Sequence, residues 1–251
     1  MKRLLPVLAL LVGCGTATEP PVDLPPPQWV ERSPDTAAWE SGIRPWPDAA
    51  ANGVGGIRLE WHALDPLRVG GYRVYRADST DAEGNPVGFA LLATLEYGTT
   101  EDTAYVDTDV ELGRTYYYVV RAFDRSIHRR EGPPSSVARF TLEQPPVLQE
   151  PLGAVAVAPD SLYFRWSNNV GYVVLRVFEA DSAAPERLLR PVWVFAGVPL
   201  DYSRPRIRYN QDGRALPLRP GVLYRWRISR VTPGRPDRGA SSVWQTFWIA
   251  Q

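Results

Sequence analysis

Gly71-Tyr72-Arg73-Val74-Tyr75-Arg76 and Gly171-Tyr172-Val173-Val174-Leu175-Arg176 stand 100 residues apart in a chain of 251 and share the pattern Gly-Tyr-x-Val-x-Arg. Other matches keep the same order around them. Trp61 and Trp166 lie upstream. Gly113-x-x-Tyr116 and Gly221-x-x-Tyr224, then Ser135-Ser136-Val137 and Ser241-Ser242-Val243, lie downstream, at offsets of 108 and 106. An ordered repeat whose spacing drifts only by loop lengths is the mark of a duplicated unit. Gln144-Pro145-Pro146-Val147 falls between the copies, so residues 144–150 read as a linker.

Within each copy the apolar residues alternate with period two. Ile57, Leu59 and Trp61 alternate with Arg58 and Glu60, and Tyr116, Tyr118, Val120 and Ala122 with Tyr117, Val119 and Arg121. In the second copy Leu162, Phe164 and Trp166 alternate with Tyr163 and Arg165, and Tyr224, Trp226 and Ile228 with Arg225, Arg227 and Ser229. This is the pattern of strands with one dry and one wet face. Turn dipeptides such as Asn52-Gly53, Gly70-Gly71, Asp212-Gly213 and Pro220-Gly221 separate the runs. The expected fold is all-β, two tandem antiparallel sandwiches covering 29–143, with an N-terminal arm, and 151–251.

A Trp on the second strand, Tyr-x-Val on the third and Leu218-x-Pro220-Gly221-x-x-Tyr224 before the sixth resemble fibronectin type III domains, within the immunoglobulin-like architecture. The first copy departs from that last pattern, with Val110 and Leu112 at the Leu and Pro positions. The resemblance implies that Tyr116 and Tyr224 are tyrosine corners, their phenols bonding back to nearby backbone. It also implies a scaffold used for binding rather than catalysis.

The N-terminus resembles the signal of bacterial lipoproteins. Lys2 and Arg3 precede the uncharged run 4–13, which is too short to span a bilayer, and the run ends in Leu11-Val12-Gly13-Cys14. The resemblance implies removal of residues 1–13, lipid on Cys14 and a membrane partner through that lipid. Gly15, rather than Asp, favours the outer membrane by the same analogy. Residues 14–28, with Pro at 20, 21, 25, 26 and 27, read as an extended stalk.

Composition narrows the chemistry. One Cys forbids an intrachain disulfide, two His argue against a His-based metal site, and 28 basic against 28 acidic residues give no overall pull toward nucleic acid. No cofactor and no metal is expected. Asp107-x-Asp109-x-Glu111 begins like a calcium loop, but Leu112 stands where Gly is needed, so a solvated turn is the simpler reading. His62, His128 and Ser126, Ser135 or Ser136 offer the parts of a triad without a Gly-x-Ser-x-Gly elbow. The expectation is a non-catalytic protein.

Charge is unevenly divided. Residues 15–143 hold 12 Arg against 20 acids, net −8, while 144–251 hold 14 Arg against 8 acids, net +6. Three readings fit: scattered solvated faces, electrostatic docking of the two domains, or an anionic polymer on the second. Arg165, Arg225 and Arg227 are expected to point outward as candidate binding residues. Trp29, Trp39 and Trp46, among prolines in 29–50, suit an irregular strand and arm packed on the first sandwich. Alternatively Trp39 and Trp46 form an exposed sugar-stacking platform. The function expected is that of a lipid-anchored envelope protein for interaction, adhesion or assembly. A carbohydrate-binding accessory and a structural subunit of an envelope complex are the alternatives, with an unknown protein or glycan partner.

Overall fold

The computed structural model describes residues 23–33, 37–47, 55–99, 102–156, 161–168 and 171–250. The signal segment, Cys14 and the stalk as far as residue 22 lie outside them. Nineteen strands are present among the described residues. In the first half these are β1 (Arg44–Trp46), β2 (Gly56–Glu60), β3 (Val69–Ala77), β4 (Ser79–Thr80), β5 (Pro86–Val87), β6 (Ala90–Glu96), β7 (Ala104–Asp107), β8 (Thr115–Asp124), β9 (Glu131–Pro134) and β10 (Ala138–Leu142). The second half supplies β11 (Val147–Glu150), β12 (Gly153–Val155), β13 (Tyr163–Ser167), β14 (Val173–Ala180), β15 (Leu188–Gly197), β16 (Arg206–Arg208), β17 (Leu223–Val231), β18 (Arg238–Ser241) and β19 (Gln245–Ile249).

Each half is an antiparallel sandwich of the type III arrangement. The sheet β1-β2-β7 faces β6-β3-β8-β10 in the first, and β11-β13-β16 faces a sheet built on β15-β14-β17-β19 in the second. The alternating residues fill the space between, because burying a large apolar side chain is worth ~1.5–3 kcal/mol. Trp61, Tyr72, Tyr118, Val120 and Phe140 fill the first core. In the second, Phe164 is ringed by Trp193, Tyr209, Trp226 and Phe247 at centroid distances of 4.9–6.2 Å.

The structure sharpens the repeat. Tyr72 pairs with Ala122, six residues past Tyr116, and Val173 pairs with Arg230, six residues past Tyr224. Tyr116 and Tyr224 hold matching places on the next strand, so Tyr72 corresponds to Val173 rather than to Tyr172. A one-residue slip exchanges the faces of a strand. Tyr72 is accordingly in the core and Tyr172 outside it. The serines slip likewise. Ser135 accepts the Val120 N–H at 3.0 Å, and its counterpart accepting the Ile228 N–H at 3.1 Å is Ser242, not Ser241.

Both tyrosine hydroxyls accept a backbone N–H five residues upstream, Tyr116 from Glu111 at 3.0 Å and Tyr224 from Arg219 at 2.8 Å. Gly113 and Gly221 stand at φ +80° and +72° in the turns between, a conformation that costs a side-chain-bearing residue strain. In the second copy Glu179 ties this corner to the neighbouring strand. It takes two hydrogen bonds from Arg190 at 2.8 and 2.7 Å and one from Arg219 at 2.8 Å. The Arg190 bonds, opposed by desolvation and helped by Arg219, hold its carboxyl below the ordinary 4.5.

Two boundaries move. Val147–Glu150, expected as linker, pairs with β13 and is the first strand of the second sandwich. Residues 23–28, expected as free stalk, pack on the first: Leu24 joins its core, Pro27 is buried, and Gln28 O accepts the His62 N–H at 2.9 Å. Apolar side chains interrupt the polyproline run, and the sandwich offers them a dry surface.

Two outcomes follow. Ser242→Ala leaves the buried Ile228 N–H unpaired and lowers stability by about 1–3 kcal/mol in denaturant titration; an unchanged midpoint would contradict the register above. Because the folded value of Glu179 lies below its unfolded one, its contribution is complete above about pH 4.5 and fades as pH falls through the folded value. The stability gap between wild type and Glu179→Gln should therefore be constant near neutrality and close in acid. A gap independent of pH would refute the assignment.

Candidate functional site

The candidate site lies where the halves meet. Trp29 faces Trp61, and Arg44 faces Arg58. Between these pairs the partner strand moves three residues and the first strand fifteen, so twelve residues are looped out of it. This strap, described over 31–33 and 37–43, does not stay on the first sandwich as the sequence suggested. It crosses onto the outer face of β14 and β17 in the second.

That face carries an arginine pair. Arg176 and Arg227 are direct cross-strand partners, and both are almost fully buried. Opposed like charges destabilise a sheet, and burial adds desolvation. Burial alone pushes Arg227 down to about 10, which still leaves it charged at neutral pH. Glu40 resolves the conflict from the strap. One carboxylate oxygen lies 3.1 Å from Arg176 Nη1 and accepts from Ser229 Oγ at 3.2 Å, while the other pairs with Arg227. Arg176 Nε donates to Ala37 O at 3.0 Å, and Ser241 Oγ donates to Ser229 Oγ at 2.9 Å. At an effective dielectric of ~20 each contact of opposite charges near 4 Å gains ~4 kcal/mol, so two attractions outweigh one repulsion.

A second junction lies alongside. β10 and β18 pair in parallel, Thr141 with Arg238 and Leu142 with Gly239. Thr141 N–H and Glu143 N–H donate to Asp237 O and Gly239 O, each at 2.9 Å. An 11-stranded sheet therefore runs through both halves, and what would be two open edges close on each other. Glu143 pairs with Arg230 and lies 3.3 Å from Arg238, Arg139 lies 2.9 Å from Asp237, and Arg32 donates to Pro236 O at 2.5 Å.

The predicted site residues separate. Arg227 does face away from the core but is buried under the strap, because Glu40 covers it. Arg225 lies on the same face, its guanidinium over the Trp244 ring at 5.6 Å. Arg165 belongs to the opposite sheet, 3.1 Å from Glu150 and over Tyr163. Arg225 and Arg227 therefore share a face and the Trp244 ring, and Arg165 does not join them. Trp39 and Trp46 form no common platform either. Trp39, 56% exposed, meets Phe178 of the second sandwich at 4.8 Å, whereas Trp46 lies under Arg44 and Arg58 on the first. Phe178 and Trp244, 5.7 Å apart, complete the patch beneath Trp39. Nothing in the spacing of Phe178 and Trp244 announces an outer face, so neither is legible as a site from sequence.

The remaining candidates hold structure together. Asp107 is not solvated: it is 1% exposed, takes Arg76 Nη1 at 3.0 Å and accepts the Tyr118 hydroxyl at 2.9 Å. Ser135 spends its hydroxyl on backbone, and His62 and His128 stand exposed. Among the described residues no group of three His, Cys, Asp or Glu is arranged to hold a metal ion.

No protein-family model matches the chain, and no curated protein matches it in sequence. Among solved structures it is similar to an Fn3-like protein from Clostridium thermocellum, with 25% identity over 45% of this chain and 86% of that one and a TM-score of 0.28. It is also similar to the chicken CNTN1 FN1–FN3 domains, with 12% identity over 90% of this chain and 66% of that one and a TM-score of 0.27. The class of fold rests on the strand order described above: a tandem pair of type III-like sandwiches.

Glu40→Gln removes the one carboxylate that pairs with both Arg176 and Arg227, a change that costs about 3–5 kcal/mol when a buried pair is broken from one side. Scanning calorimetry should show one transition in the wild type and two in the variant. Unchanged behaviour would mean that the strap does not couple the halves.

Proposed function

We propose that the protein is a non-catalytic, lipid-anchored component of the cell envelope, tethered through Cys14, on the outer membrane in preference to the inner. Its two sandwiches act as a single rigid module for protein–protein interaction, adhesion or assembly. The observation that carries this reading is the junction itself. Part of the charge asymmetry between the halves is met at the junction, where Glu40 and Glu143 pair with arginines of the second half. A chain that joins two sandwiches by a shared sheet and a strap is suited to presenting fixed surfaces at a fixed separation. The anchor is supported by the sequence Leu11-Val12-Gly13-Cys14 after a basic start.

One observation favours a second reading, a glycan-binding accessory. Trp39 offers an exposed indole backed by Phe178 and Trp244, a surface on which a sugar ring can stack. Calorimetric titration with cell-wall glycans, and its loss in Trp39→Ala, separates that reading from protein assembly.

Expression in bacteria with labelled palmitate tests the main reading. The wild type should carry label and sediment with membranes, and Cys14→Ser should carry none and remain in the soluble fraction. A soluble, unlabelled wild type would contradict the anchor. Cross-linking in intact membranes should then recover a defined protein partner, and robust turnover dependent on a single carboxylate or hydroxyl would overturn the non-catalytic assignment.

A further inference from the structure

We infer that the end of the first sandwich bearing Leu67 and Ile127 rests on the bilayer, its two apolar tips entering the headgroup region. This inference rests on the lipid anchor proposed above and adds an orientation to it.

The geometry begins with strand direction. β3 starts where β8 ends, Val69 pairing with Asp124, so the loops 61–68 and 125–130 project from the same end. Arg125 Nε donates to Val69 O at 3.1 Å and ties the two loop bases together. On these loops stand Leu67, 83% exposed, and Ile127, 93% exposed, the highest values among the exposed large hydrophobic residues. Neither helps the fold, and each apolar tip left in water is a cost that another environment removes.

The tethered chain arrives at the same end. Asp23 lies 2.7 Å from Arg68, immediately after Leu67. Leu24 is buried in the first core and lies over Gly132, just past the loop that carries Ile127. Nine peptide units join Cys14 to Asp23 and reach ~32 Å at most, whatever their conformation. The sandwich itself is about that long, since the ten residues of β8 rise ~33 Å. A tether of this reach keeps the entry end beside the lipid and would need full extension to bring the far end there.

Electrostatics at this end permits close approach. Arg68, Arg129 and Arg130 are each paired with a carboxylate of the same end, Asp23, Glu96 and Asp124. The surface around the tips is nearly neutral, so contact depends on the apolar side chains and the tether rather than on anionic lipid. That distinguishes it from a polybasic membrane patch.

The test uses the full lipidated protein. Once Cys14 carries lipid the chain has no other thiol, so Leu67→Cys or Ile127→Cys can be labelled alone with an environment-sensitive fluorophore. Leu112→Cys, exposed in the loop before β8 at the opposite end, is the control. In phosphatidylethanolamine–phosphatidylglycerol vesicles containing spin-labelled lipid, positions 67 and 127 should be quenched about twofold or more beyond position 112. Equal quenching at the three positions, in protein whose Cys14 lipid is verified by mass spectrometry, would overturn the orientation and leave the anchor standing. A blue shift at 67 and 127 without quenching would place the tips against another copy of this chain, the only protein in the assay, and overturn it too. An unmodified Cys14 would remove the anchor and the orientation together.

Discussion

Arg176 and Arg227 oppose each other across β14 and β17 on a face that the strap closes off from water, and such a pair has no stable state of its own. An anion held between them relieves the repulsion, and Glu40, carried in from the other sandwich, pairs with both. The first strand is split so that the loop can reach. The strap covers the middle of β14, and with Arg190 and Arg219 over Glu179 the whole strand is buried. In the first sandwich the pair at the same register is Tyr75 and Val119, which needs no such partner.

The junction has two parts with different physics. The parallel pairing of β10 with β18 satisfies backbone groups and fixes register, but it involves few residues. The ionic part is specific rather than strong in the ordinary sense. Buried charge clusters return little net stability over an apolar alternative, yet they tolerate no substitute geometry. Together they turn two duplicated units into one body. Exposed aromatic and apolar residues then take defined positions on it, with Trp39 on one face and the tips of the loops at the tethered end.

Much of this was readable in the sequence, and the failures have physical causes. Period-two alternation gave the strands because one face of each is packed against a core, as with Tyr224, Trp226 and Ile228. The repeat rests on residues that look alike, but Gly71 lies inside β3 at a bulge, where Gly70-Gly71 reads as a turn, while Gly171 lies in a bend before β14. Similar letters thus fell on opposite faces at Tyr72 and Tyr172. Arg227 was rightly turned away from the core and wrongly left in water, since alternation reports direction and not cover. The cover came from Glu40, some 190 residues away in the chain, with no local signal. Composition hinted at it only through the charge imbalance between the halves, where docking stood as one reading among three. The leader was misjudged at its inner end because Leu24 and Pro27 are too few to show a period.

Residual dipolar couplings of the backbone amides test the central claim most directly, because they report how each sandwich is aligned in the same solution. If Glu40 and the shared sheet join the halves, couplings from both will fit one alignment tensor on the structure described here. Two tensors of different magnitude or orientation would mean that the sandwiches move independently, and the junction would not be the constraint on which the rest depends.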